Sequence, residues 1–270
     1  MFTKLLAYEI RSRAVADARS FGAFIVTIAV AAGIVAAGLP GISGSTAFLA
    51  YALCALTPVT CAIAAMADYW KTLYGQRGYF TMSLPVSGKV IFWAKNTRIM
   101  IECLLALALA VGGIIAVASA AAWSDGISLA EYTAGPRSQL AIFSPSVQVI
   151  LIMSQLIACA SMIVQVCAVM TLAAEGRFNH MGFGAVAIGL VLLYIVNQIL
   201  SGVGTFFLPF SITPDGHFST EGMWSSYRAA LETGAEPTVW GMGACIVIPI
   251  FALLLAAWAS RSIEKHTSLR

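Results

Sequence analysis

The chain of 270 residues is 60% hydrophobic and only 10% charged, with a net charge of +3 at pH 7 and a mean hydropathy of +0.88. No water-soluble packing hides that much apolar surface, so the composition excludes a soluble domain and indicates a membrane protein. The first partner that the sequence predicts is therefore the lipid bilayer, and no segment indicates binding to nucleic acid.

Residues 1–20 mix apolar and charged side chains and contain neither Gly nor Pro. This pattern predicts an N-terminal helix that lies on the cytoplasmic membrane face. The charges continue to Arg19, and the apolar run that follows is long enough to span a membrane. Both features argue against a cleaved signal peptide.

Six apolar stretches are long enough to cross a membrane as helices, because a hydrocarbon core about 30 Å thick needs roughly 20 apolar residues. In chain order they lie at 21–39, 46–67, 99–123, 147–174, 181–207 and 239–258. The sequence therefore predicts an all-α, polytopic fold with six transmembrane helices. We find no internal repeat, so residues 1–270 are expected to form a single transmembrane domain.

The basic residues predict the orientation of these spans. Except for Arg137 and Arg228, every Lys and Arg falls on the side that carries both termini and the loops at 68–98 and 175–180. Lys and Arg near span ends are retained in the cytoplasm. Both termini and these two loops are therefore predicted to be cytoplasmic, in a plasma membrane.

The loop at 69–98 is far longer than the few residues needed to reverse the chain direction. It carries aromatic anchors together with residues that form turns and break helices: Tyr74, Gly75, Gly78, Tyr79 and Pro85. Aromatic and arginine side chains often dominate the binding energy of protein interfaces. The loop is therefore expected to be a docking surface for a cytoplasmic partner.

Two segments on the opposite side are also long. Residues 124–146 are polar, and residues 208–238 include EGMWSSYRAALETG, in which apolar residues recur at helical spacing. The second pattern predicts a short helix that rests its aromatic side on the outer leaflet, although an ordinary surface loop remains an open alternative.

The motifs of common membrane enzymes are missing. The pair Gly88-Lys89 is followed by Val90, and Ser83 stands where a phosphate-binding G-x-x-x-x-G-K-[ST] loop needs its first glycine. The three histidines are too scattered along the chain for a zinc H-E-x-x-H site, and their position outside the spans argues against a base for an intramembrane serine. We predict that the chain is not an enzyme, with no catalytic residues, no metal site and no cofactor of its own.

Glu102 is the clearest ionisable residue inside a predicted span, and Arg98 precedes it by one helical turn. This spacing predicts an i,i+4 ion pair that offsets part of the cost of burying the charge. The pair either anchors the span end or relays motion from the neighbouring loop. Glu102 is nearly the only ionisable residue inside the predicted spans, whereas proton- and sodium-coupled transporters need a network of charges there. The sequence therefore argues against a transporter of that kind.

Polar side chains also mark the fourth and fifth spans. They are Gln155, Ser161, Gln165, Asn197 and Gln198. Such side chains usually bond one helix to another, but they are also candidates for the wall of a substrate path.

The run DYWKTLYGQRGYFTMSLPVSGKVIFWAK resembles the intracellular loop of ABC type-two exporter permeases. Members of that family often show Tyr-Gly-x-x-Gly-Tyr, here Tyr74 to Tyr79 with Gly75 and Gly78, followed by Leu-Pro-Val-Ser, here Leu84 to Ser87. The similarity covers most of the chain in topology, but the specific residues are confined to this loop.

The resemblance implies that two permeases, identical or related, form the pathway, and that separate ATPase subunits holding ATP and Mg dock on residues 69–90. The docking residues would be Tyr74, Gly75, Arg77, Gly78, Tyr79, Leu84 and Pro85. The expected function is the permease subunit of an ATP-driven exporter in a bacterial plasma membrane, with an amphipathic or hydrophobic cargo such as a peptide, drug or lipid. The alternative is a scaffold or accessory subunit that holds a cytoplasmic partner without transport.

Overall fold

The structure, a computed structural model, describes residues 1–75, 78, 81, 83 and 85–265. In chain order its α-helices are α1 (Phe2–Ala36), α2 (Ser43–Leu73), α3 (Gly88–Ser124), α4 (Leu129–Tyr132), α5 (Ala134–Leu140), α6 (Pro145–Ala173), α7 (Phe183–Phe207), α8 (Met223–Thr233) and α9 (Ala244–Lys265). Six of them, namely α1, α2, α3, α6, α7 and α9, are long and apolar enough to cross a membrane. The predicted all-α, polytopic fold is therefore confirmed.

Helix α1 is unbroken from Phe2 to Ala36. The segment 1–20 is helical as predicted, but it continues directly into the first span and does not form a separate element. Nothing before Gly22 interrupts the helix, because the segment contains no Gly or Pro. At 1.5 Å per residue, α1 is about 52 Å long, so some 20 Å of it exceeds the hydrocarbon thickness.

The chain divides into two compact units, and the first contains α1, α2, nearly all of α3, and α4. The apolar core of this unit takes Ile28 from α1, Cys54 from α2 and Val117 from α3. A Cβ atom on Gly113 of α3 would lie 2.7 Å from the Cys54 sulfur. The glycine therefore allows α3 to approach α2 closely, as small residues do in membrane helices.

The second unit contains α6, α7, α8 and α9. A short 3-10 helix, Gly176–Met181, connects α6 to α7. The two helices approach closely at Gly189, where a Cβ atom would lie 2.7 Å from a methyl group of Val169. The Ser262 hydroxyl of α9 donates to the buried Glu175 carboxylate at 2.8 Å, which fixes the end of α9 beside the 3-10 helix.

The segment before α9 contains a small three-stranded sheet that the sequence does not predict. Strand β1 (Ser211–Ile212) pairs antiparallel with both β2 (Phe218–Ser219) and β3 (Trp240–Gly241), in the order β2-β1-β3. Helix α8 lies within the segment that was expected to form a short helix. The Trp224 and Tyr227 rings of α8 lie 6.2 and 6.1 Å from the Phe206 ring of α7. Part of the aromatic side thus packs on the protein itself, and its contact with the outer leaflet stays a prediction.

Candidate functional site

Buried and partly buried ion pairs join α1, α2 and α3 within the first unit, next to the ends of the 74–87 loop. We call this group the ion-pair cluster; its members are Glu9, Arg13, Asp17, Asp68, Lys95, Arg98 and Glu102. Three helices therefore contribute charge to one site.

Arg98 is at the centre of the cluster, with a side chain that is only 4% exposed. Its Nη1 donates to Glu102 Oε2 at 2.8 Å, which confirms the predicted i,i+4 ion pair. Its Nη2 donates to Asp68 Oδ2 of α2 at 3.3 Å, while the other oxygen of Asp68 accepts from Arg13 Nη1 of α1 at 3.1 Å. One carboxylate thus bridges guanidinium groups from two other helices.

Lys95 makes a second connection between the same three helices. Its Nζ donates to Glu9 Oε1 of α1 at 2.8 Å and to Thr72 Oγ1 of α2 at 3.0 Å. Lys95 and Arg98 are about one turn apart on α3, and their partners Thr72 and Asp68 are one turn apart on α2. The two contacts therefore fix one register between the antiparallel ends of α2 and α3.

The sequence places Glu102 nearly alone among ionisable residues inside the predicted spans, but in the fold it belongs to a network of charges from outside those spans. Its network includes Asp68, which lies one residue beyond the predicted second span, and residues of the segment assigned to the membrane surface. The spacing of residues along one helix reveals i,i+4 neighbours, but it does not reveal partners on another helix. Breaking a buried pair by removing one partner typically costs about 3–5 kcal/mol, so this cluster constrains the geometry of the helices strongly.

The length of α3 explains how the membrane tolerates these charges. With 37 residues, α3 is about 55 Å long, some 25 Å more than the hydrocarbon core requires. Glu102 lies about 21 Å from the helix start at Gly88. The excess length allows the cluster to lie at the membrane boundary, where a charge costs much less than at the bilayer centre.

The predicted docking loop is described in part. The Gly78 amide donates to the Gly75 carbonyl at 2.8 Å, and Tyr74 is half-buried. Gly78 is buried, whereas Pro85 is exposed. The other predicted docking residues lie outside the described residues; they are Arg77, Tyr79 and Leu84.

Two of the polar residues predicted for a substrate path bond helices to each other. Asn197 Nδ2 of α7 donates to Gln165 Oε1 of α6 at 2.7 Å. Gln165 Nε2 donates to the Ile248 carbonyl of α9 at 3.3 Å. Because Gln165 is only 1% exposed, these contacts favour a helix-linking role over contact with cargo.

The other three residues of that set do not join this contact. Ser161 is buried, and its hydroxyl donates to the Ile157 carbonyl of its own helix at 2.7 Å. Gln155 and Gln198 are exposed. The structure therefore brings together Gln165 and Asn197 and does not assemble the five residues into one polar wall.

Comparisons with models of protein families, with curated proteins and with solved structures found no match to this chain. The fold and the site define a multi-pass membrane protein in which buried ion pairs hold the ends of a polar loop. Across the ranges that the structure describes, no group of three or more His, Cys, Asp or Glu side chains could hold a metal ion.

Proposed function

We propose that this chain is the permease subunit of an ATP-driven exporter in a bacterial plasma membrane, with both termini and the 69–98 loop in the cytoplasm. A separately encoded ATPase subunit, which carries ATP and Mg, docks on residues 69–90 and supplies the energy. A second permease copy or a related chain completes the pathway. The cargo is amphipathic or hydrophobic.

One observation supports this proposal most directly: the two ends of the loop are tied to each other and to α1. Asp68 at the end of α2 pairs with Arg98 near the start of α3, and Arg13 of α1 pairs with the same Asp68. A force applied to the loop therefore reaches three membrane helices together. A partner that binds the loop differently in two states has a route to bias their arrangement.

The interior of the second unit supports an apolar cargo. Asn197 Nδ2 donates to Gln165 Oε1 and Gln165 is buried, so Gln165 does not present a polar path to a hydrophilic substrate. Among the described residues, the buried Asn197 Oδ1 has no partner. The sequence resemblance supplies the class of partner, and the ion-pair cluster supplies the mechanical route from that partner to the spans.

In-cell photo-crosslinking tests the proposal. A photoreactive residue at the exposed Ser87 should capture a nucleotide-hydrolysing protein, and one at the exposed Ser45, in the first turn of α2, should not. Capture of lipid alone from Ser87 would end the proposal. Capture of an ATPase whose hydrolysis drives no movement of any compound would favour the scaffold alternative.

A matched pair of proline variants tests the docking surface itself. Pro85→Asp adds a carboxylate at an exposed loop position, and Pro214→Asp adds the same charge at an exposed turn before β2. An unpaired charge trapped in an interface costs about 1–3 kcal/mol or more, so Pro85→Asp should weaken ATPase binding tenfold or more. Pro214→Asp should leave it unchanged. Equal binding by both variants would contradict the docking role of the loop.

A further inference from the structure

The second unit contains an apolar cavity of about 270 Å³. It is lined by residues of α6, α7, α9 and the 3-10 helix, and its lining is nearly free of polar atoms. The residues at its wall include Ala185, Ile188 and Leu192 of α7, together with Phe178 of the 3-10 helix. This volume is near the lower end of small-molecule pockets and suits one hydrocarbon chain.

The cavity is continuous with the surface that α7 presents outward. Ile188 and Leu192 line the cavity and are still 51% and 56% exposed. Both residues belong to a helix that is long and apolar enough to cross a membrane. In a bilayer, the medium at this opening is the acyl chains of lipids.

A cation lies beside one of the residues that line the cavity. The Arg177 guanidinium is 4.7 Å from the centre of the Phe178 ring, and Phe178 lines the cavity. Arg177 Nε pairs with Glu175 at 2.7 Å, whereas the Arg177 side chain is 61% exposed. Its guanidinium therefore remains open to an anionic group beside an apolar slot.

We propose that this cavity binds one acyl chain of an anionic phospholipid, with the net negative charge of its headgroup at Arg177. Charge complementarity selects the headgroup and the apolar lining accepts the chain. Moving a chain from the bilayer into the cavity yields little hydrophobic free energy, because both environments are apolar. Preference among lipids therefore comes from Arg177, and an interaction of this kind is worth roughly fivefold in affinity.

Lipid binding to the purified full chain tests the site without any ATPase subunit, so its result is independent of the proposed function. Native mass spectrometry would measure the dissociation constants for phosphatidylglycerol and phosphatidylcholine with identical chains. The wild-type chain should bind phosphatidylglycerol roughly fivefold more tightly. Equal affinity for both lipids would overturn the headgroup assignment.

Two variants fill the cavity, and a third variant, outside the cavity, serves as the control. Ala185→Phe places a ring within the lining and should abolish binding of both lipids at this site. Leu192→Trp, at the exposed mouth, should also block the site, and it serves as a second cavity variant should Ala185→Phe fail to fold. Ala187→Phe makes the same change as the first variant at an exposed position of α7 and should leave affinity unchanged. Wild-type affinity in the folded cavity variants would refute the acyl-chain site.

A charge series separates the headgroup contact from folding. Arg177→Lys keeps the cation and should keep the preference for phosphatidylglycerol. The double variant Glu175→Gln and Arg177→Gln removes both charges together, so it leaves no buried carboxylate unpaired. It should bind the two lipids equally, and a persisting preference would show that Arg177 is not the headgroup contact.

Discussion

Replacing Lys95 by Met is expected to destabilise the first unit strongly. The Lys95 and Glu9 side chains are 4% and 9% exposed, and their 2.8 Å contact is screened from solvent. Lys95→Met leaves the Glu9 carboxylate buried without its partner and also removes the bond to Thr72. Removal of one member of a buried pair typically costs about 3–5 kcal/mol of unfolding free energy.

The double variant Glu9→Met and Lys95→Met separates the charge effect from packing. Replacing a buried pair by apolar side chains of similar volume is often neutral or stabilising, so this variant should stay within about 1 kcal/mol of the wild type. The double variant should therefore be more stable than Lys95→Met alone by at least about 2 kcal/mol. Lys89→Met is the matched control, because Lys89 is an exposed lysine on the same helix.

Thermal unfolding of the full chain in detergent micelles, followed by circular dichroism, measures these effects. At about 2–4 °C per kcal/mol for a chain of this size, Lys95→Met should lower the Tm by about 6–20 °C. The control should shift it by less than about 2 °C. If Lys95→Met matches the control, or if the double variant is no more stable than the single one, the buried pair does not constrain the helices as argued.

Two further predictions concern the second unit and use the same unfolding assay. Gln165→Leu removes the contacts of Gln165 with α7 and α9, so it should lower the unfolding free energy by about 0.6–1.7 kcal/mol. Gln155→Leu, at an exposed position, should leave the unfolding free energy almost unchanged, and equal losses in the two variants would contradict a helix-linking role. Gly216→Ala should lower the unfolding free energy more than Gly234→Ala. Both glycines have positive φ, which costs an alanine about 1–2 kcal/mol. Only at Gly216 would the new Cβ also lie 2.6 Å from a backbone carbonyl oxygen. The reverse order would show that the turn before β2 relaxes freely.

The membrane-spanning helices could be predicted from sequence because a long apolar run has few structural solutions in a bilayer. The pairing of Arg98 with Glu102 could also be predicted, since it depends only on the spacing of residues along one helix. The contacts of Asp68 and Lys95 with other helices could not, because they depend on how separate helices pack. Their signal in the sequence was indirect: both are charged residues just beyond the ends of apolar runs.

The small sheet and the continuity of α1 were missed for different reasons. Each strand of the sheet has only two residues, too few for an alternating pattern to be recognised. In α1, the change from mixed to purely apolar composition near residue 20 suggested a boundary between two helices. Composition marks where the environment changes, whereas a helix ends only where the backbone is interrupted.

Because α1 is unbroken, its two ends move together as one rigid helix. Roughly 20 Å of the helix extends past the thickness of the hydrocarbon, and Glu9 and Arg13 in that extension form ion pairs with α3 and α2. A swing of about 10° displaces the tip of such an arm by some 3–4 Å. A hinge near residue 20 would absorb this movement, whereas tilting a continuous helix also displaces its opposite end.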